Sequence, residues 1–81
     1  MLTSDEWQQL SESLPPCRRI DDHTIIVRMD YQLDAFEVIN FIYCIPSVLL
    51  DRCASVRYEG SQQDGRTRWG RFHVTWKGED A

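Results

Sequence analysis

The block Leu33–Arg52, LDAFEVINFIYCIPSVLLDR, is the longest apolar stretch of the chain and limits what the rest can fold into. Its polar residues Glu37, Asn40, Ser47 and Asp51 recur at helical spacing and form one stripe. Val38, Ile39, Phe41, Ile42, Ile45, Val48, Leu49 and Leu50 fill the remainder. An apolar arc this wide exceeds one ordinary helix face, so the helix is expected to lie on a sheet and to be covered from a second side. Asp34 is placed to cap it with Glu37 at N3, and Leu33 and Val38 have the spacing of a hydrophobic staple. Pro46 interrupts the pattern, because it removes a helical hydrogen bond and clashes with the preceding turn. The spacing therefore predicts either a kink near Cys44 or a break in which Pro46 opens a second short helix.

Upstream, TSDEWQQLSESL predicts a short helix with Thr3 as cap, Glu6 at N3 and Leu2 with Trp7 as staple. Trp7, Leu10 and Leu14 share one side of it, and Pro15-Pro16 end it. Cys17 to Ile20 predicts a short edge strand, and Asp21-Asp22-His23 a turn. Thr24 to Met29 is β-branched and alternating, with Ile25, Val27 and Met29 on one face and Thr24, Ile26 and Arg28 on the other.

Downstream, Cys53 to Glu59 predicts a strand with Val56 and Tyr58 inward and Ser55, Arg57 and Glu59 outward. Gly60 to Arg66 holds a turn, Thr67 to Lys77 is the last strand, and Gly78 to Ala81 a frayed tail. A two-residue Asp64-Gly65 loop would mix apolar and charged residues on both hairpin faces. A three-residue Gln63-Asp64-Gly65 loop instead sets Val56 opposite Phe72, Ala54 opposite Val74 and Tyr58 opposite Gly70, with all apolar residues on one face. In that register Arg57 faces Arg71, Glu59 faces Trp69, and Ser55 faces His73. The expected whole is one α+β domain over residues 1–81, an antiparallel sheet with helices packed on one face in α-β-β-α-β-β order.

Several function classes fall away on composition. A net charge of −4 argues against general nucleic-acid binding. The acids and the proline in the apolar block argue against a membrane span. Cys17, Cys44 and Cys53 are odd in number, lack CxxC spacing, and read as reduced thiols of a cytosolic protein. Two isolated histidines, His23 and His73, with scattered cysteines make no metal-ligand set, and no cofactor motif is present. The charge is uneven, however. Residues 51–77 hold Arg52, Arg57, Arg66, Arg68, Arg71 and Lys77 against Asp51, Glu59 and Asp64. Arg and Trp are enriched at protein interfaces, so Arg57, Trp69, Arg71 and His73 form the candidate partner-binding patch on the outer hairpin face. An 81-residue chain that cannot cover its own apolar helix is also expected to form a homodimer.

The opening LTSDEWQQL, the stretch Ala35 to Phe41 and the final His73-Val74-Thr75-Trp76 resemble the pterin-4a-carbinolamine dehydratase family. The resemblance implies that family's sheet-and-helix fold and a dimer. The family's catalytic HHPEW motif is absent. The corresponding positions read Ala54, Ser55, Val56, Arg57 and Tyr58, and the family's last helix has no counterpart. Dehydration of a carbinolamine needs acid–base groups beside the substrate, and these positions supply none. The chain is therefore similar to the family's non-catalytic branch, dehydratase-like proteins associated with α-carboxysomes and regarded as Rubisco assembly factors. That resemblance implies a protein-binding chaperone of carbon fixation, cytoplasmic and carboxysome-associated, with Rubisco as the large partner. Two other readings remain open: a dehydratase rewired onto His73, Glu59 and Glu79, and a small phage-type inhibitor or adaptor.

Overall fold

The computed structural model describes residues 2–29 and 36–78. Its elements run α1 (Ser4–Ser13), β1 (Cys17–Arg19), β2 (Thr24–Met29), α2 (Glu37–Cys44), α3 (Ser47–Leu50), β3 (Cys53–Asp64) and β4 (Thr67–Trp76). The strands form a four-stranded antiparallel sheet in the order β1-β2-β4-β3. The protein is α+β. The expected Asp34 cap, the Leu33 half of the staple and residues 79–81 lie outside the described residues.

Local chemistry accounts for the first helix. The Thr3 hydroxyl accepts from the Glu6 amide at 3.2 Å and the Glu6 carboxylate accepts from the Thr3 amide at 3.0 Å, a complete capping box. Those bonds, the Thr3 amide first and the Arg52 guanidinium next, hold the Glu6 carboxyl below its usual range. Trp7, Leu10 and Leu14 are buried, as their spacing requires, and Leu2 joins the same cluster. In the turn before β2, the Asp21 carboxylate accepts from the amides of His23 and Thr24, each at 2.8 Å. The first of these leads in lowering the Asp21 pKa.

The apolar block breaks rather than bends. Helix α2 ends at Cys44, Ile45 turns extended, and Pro46 caps α3 from outside with φ −55° and ψ 142°. The break lets Phe41, Ile45 and Leu49 all reach the core. Phe41 stacks on Phe72 of β4 with ring centroids 4.4 Å apart and planes 15° apart. Trp7 meets Trp76 edge-on at 5.7 Å, and the Trp76 indole donates to the Asp22 carbonyl at 2.8 Å. Ile25, Val27, Phe72, Val74 and Trp76 complete the cluster from one face of the sheet, with Val56 and Tyr58 half-buried beside them.

The hairpin register differs from the expected one. The loop is Gly65-Arg66, with Asp64 opposite Thr67 and Gly65 at φ +63°. Glycine at the first central position is the requirement of a type II′ connection, so the governing dipeptide is Gly-Arg and not Asp-Gly. Strand β3 runs on to Asp64, beyond the expected Glu59. A one-residue shift between Tyr58 and Gly60 then corrects the facing. Without it, the tip register would turn Val56 and Tyr58 to the outer face. With it, Val56 pairs with Val74 and Tyr58 with Phe72, and Gly60 at φ 109° takes the strained backbone of the bulge. Burial does select the face, but through a bulge and not through loop length.

Gly70 is an inward position of β4 whose open side is filled by the Met29 side chain. A Cβ there would collide with Met29 Sδ, the movable end of a flexible side chain, and stand 3.2 Å from Phe72 Cε2. Gly70→Ala is expected to destabilise the fold by about 1–3 kcal/mol through overpacking. Adding Met29→Ala should return part of that loss. Urea unfolding of the single and double variants measures both, and equal midpoints for Gly70→Ala and wild type would refute the close packing.

Candidate functional site

The helices cover one face of the sheet, and the other carries the candidate patch. Alternation places Thr24, Ile26 and Arg28 of β2 and Trp69, Arg71, His73 and Thr75 of β4 on that outer face. The pairing then defines three rows across the strands: Thr24–His73–Arg57, Arg18–Ile26–Arg71–Gly60, and Arg28–Trp69–Gln62. Trp69, Arg71 and His73 are successive outer residues of one strand, and Arg57 stands directly across from His73. All four expected patch residues therefore share one surface.

Their pairings are not the expected ones. Arg57 faces His73 and not Arg71, Trp69 faces Gln62 and not Glu59, and Ser55 faces Thr75 and not His73. The turn at Gly65-Arg66 is the main reason, because it moves the register of the whole hairpin, and the bulge between Tyr58 and Gly60 then shifts the pairs beyond it by one residue. Glu59 projects between the two arginines, with one carboxylate oxygen 3.3 Å from Arg57 Nη2 and the other 3.8 Å from Arg71 Nε. The side chains of Arg57 and Arg71 stay 68% and 45% exposed, so these are loose surface contacts.

Residues of β1 and β2 complete the face. Ile26 is only 3% exposed although no helix covers it. Arg18 and Arg71 flank it across the ladder, and Trp69 and His73 lie diagonal to it, so their stems and rings shield it. The Arg18 guanidinium lies 5.2 Å from the Trp69 ring centroid, a cation–π contact. His73 stacks on His23 at 5.6 Å with planes 16° apart. His23 Nδ1 is 3.0 Å from the Val74 carbonyl oxygen and, facing an acceptor, is the donor there. Strand alternation already turned Ile26 and Arg28 outward. Only the strand order shows that they lie beside Trp69.

A second polar cluster was not expected at all. Glu37 belongs to the polar stripe of its helix, yet it is 2% exposed. Arg68 Nη2 approaches its Oε1 at 3.3 Å from β4, and Arg68 Nε donates to Ser61 Oγ at 3.1 Å. Neither Glu37 oxygen has a hydrogen bond of normal geometry among the described residues. Burial pushes the Tyr58 phenol up, the Ser61 side chain opposes this, and the nearby Glu37 carboxylate adds to the rise. Nearby, Arg28, Met29, Arg66, Thr67 and Arg68 line an open polar cleft of about 260 Å³.

The remaining candidates separate. The positions matching the dehydratase motif run along β3, where Val56 and Tyr58 pack against the core. His73 and Glu59 share the outer face, and Glu79 lies outside the described residues. Cys17, Cys44 and Cys53 are free thiols, and burial raises the pKa of Cys17 and Cys53. Among the described residues no three His, Cys, Asp or Glu side chains converge as a metal site, and no helix is long and apolar enough to cross a membrane. In comparisons with known families, curated proteins and solved structures, no match to this chain is found.

The Glu37–Arg68 pair yields a stability prediction. Arg68→Ala leaves a buried carboxylate uncompensated and should cost about 3–5 kcal/mol. Replacing both partners, as Glu37→Leu with Arg68→Met, should recover most of that cost, because an apolar pair of similar volume dispenses with the desolvated charge. Chemical denaturation of the three proteins tests this, and a double variant no more stable than Arg68→Ala would refute it.

Proposed function

We propose that this protein is a non-catalytic binding module that engages a larger protein through the uncovered face of its sheet. The observation that carries the reading is the charge of that face. Arg18, Arg28, Arg57 and Arg71 are set around Trp69, His73 and a shielded Ile26, with Glu59 between two of them and Asp64 at the tip of the hairpin. This basic, aromatic surface belongs to a chain of net charge −4. Such segregation favours an acidic partner surface and disfavours a long nucleic acid, which the rest of the molecule would repel. The identification of Rubisco as the partner, with an assembly role, a carboxysomal location and a dehydratase-like fold, rests on the sequence resemblance alone. The absent HHPEW residues support binding over turnover.

Capture of purified α-carboxysomal Rubisco by the immobilised protein is the direct test. Arg57→Ala, Trp69→Ala and Arg71→Ala together should abolish capture while circular dichroism stays native. Arginine and tryptophan at an interface centre are each worth about 2 kcal/mol or more. Capture that survives in the folded triple variant would remove the patch from the interface.

The helix layer supports self-association as a second feature. Phe36, Ile39, Tyr43, Val48 and Leu50 are 54%, 45%, 83%, 68% and 39% exposed. Residues 38–50 contain no charged side chain at all. A second copy of an acidic chain meets no repulsion on this neutral surface, whereas two basic sheet faces would repel each other. A homodimer through α2 and α3 is expected by light scattering at tens of micromolar, roughly the range of a weak dimer. Tyr43→Glu with Val48→Glu should give monomer, and a wild-type monomer would rule the dimer out.

A further inference from the structure

Glu59 is an acid set among the arginines of the outer face, and its position is unusual. The bulge sets it between Arg57 and Arg71, one oxygen toward each guanidinium, at 3.3 and 3.8 Å. Both arginines are largely exposed, so the carboxylate is held loosely and water competes for every contact. A carboxylate poised between two guanidiniums is also the arrangement that a carboxylate of a bound protein would adopt.

We propose that Glu59 is a placeholder for a partner carboxylate, and that the sheet face takes an extended acidic segment of a protein. On binding, a glutamate or aspartate of that segment replaces Glu59 between Arg57 and Arg71. An apolar neighbour then rests over Trp69 and Ile26. This inference rests on the reading of the sheet face as the docking surface. The spacing on the face fits an extended occupant. Trp69, Arg71 and His73 project at every second residue of β4, a step of about 7 Å, and alternate side chains of an extended peptide repeat at the same step. Single-stranded nucleic acid fits less well. Trp69 carries Arg18 at 5.2 Å, and base stacking asks for a run of open rings.

Binding of a labelled peptide with the repeat Glu-Thr-Leu-Thr, which sets glutamate and leucine alternately on one face of an extended chain, followed by fluorescence anisotropy at low and high salt, tests the placeholder. Wild type should bind in a salt-dependent manner. Glu59→Gln removes the internal competitor and should bind roughly 2- to 5-fold tighter, a gain on the scale of an exposed ion pair. Arg71→Ala should weaken binding in both backgrounds. Glu59 is exposed, so the fold survives the substitution, and circular dichroism verifies it. Unchanged or weaker binding by Glu59→Gln, alongside loss in the Arg57→Ala, Trp69→Ala, Arg71→Ala protein, overturns the placeholder and leaves the docking face standing. Full binding by that triple variant overturns the docking face itself. Binding of oligothymidylate in place of the peptide, or of neither probe, overturns the acidic-segment occupant.

Discussion

Phe72 is the side chain on which the layers of this protein meet. It is 1% exposed and lies on β4, an interior strand, opposite Ile25 of β2 and Tyr58 of β3. Phe41 stacks on it from α2 at 4.4 Å, and Tyr58 tilts against it at 5.3 Å. Each surrounding irregularity serves that packing. The break at Pro46 frees α3 to follow a different direction, so that Leu49 joins Phe41 and Ile45 in the core. Gly70 leaves the space beside Phe72 that Met29 occupies. The bulge after Tyr58 turns the apolar residues of β3 toward the ring. A core of this size has little redundancy, because a short chain buries a smaller share of its surface than a long one.

Covering one sheet face exhausts the helices, and the two open surfaces that result differ in kind. The sheet face is protected from within its own plane, by arginine stems and flat rings laid around Ile26. Its polar tips remain in water, and it needs no partner for solubility. The helix face has no such device. Phe36, Ile39, Tyr43, Val48 and Leu50 are exposed there, with Asn40 and Ser47 as polar residues among them and no charge between Val38 and Leu50. A charged surface discriminates between partners by sign and is weakened by salt, whereas a neutral apolar surface associates wherever area is buried. The proposed self-association and the proposed docking would therefore use opposite sides of the molecule and would not compete.

What the sequence made legible follows how local each cause is. The capping box of Thr3 and Glu6, the alternation of Thr24–Met29 and the disruption at Pro46 act within a few residues, and each appears where the sequence places it. The hairpin register depends on which of two adjacent dipeptides forms the turn, and on a bulge that no short pattern announces. Glu37 misleads for a different reason. Helical periodicity assigns it to a solvated stripe, because the cation that accompanies it in the interior, Arg68, arrives from a strand thirty-one positions later. That Trp69, Arg71 and His73 share one face was readable from the alternation of the last strand. The contributions of Arg18 and Ile26 required the strand order, which sets β1 and β2 beside β4 on that face.

The Glu59–Gly60 bulge joins the two levels. A strand paired in the register of its tip would carry Tyr58 and Val56 outward and leave the Phe72 side of the core unfilled. One added residue cures this, and the same residue projects a carboxylate onto the outer face between Arg57 and Arg71. The packing requirement sets where the extra residue goes, but it sets nothing about that residue's side chain, which faces solvent. A serine or asparagine would meet the backbone demand of the bulge equally well. Placing an acid there brings the spacing of the two guanidiniums under the control of the core, since Tyr58 and Glu59 are adjacent in the chain. Where Glu59 enters the outer face is thus set by the inner one. Its contacts with Arg57 and Arg71, at 3.3 and 3.8 Å, remain loose and open to water.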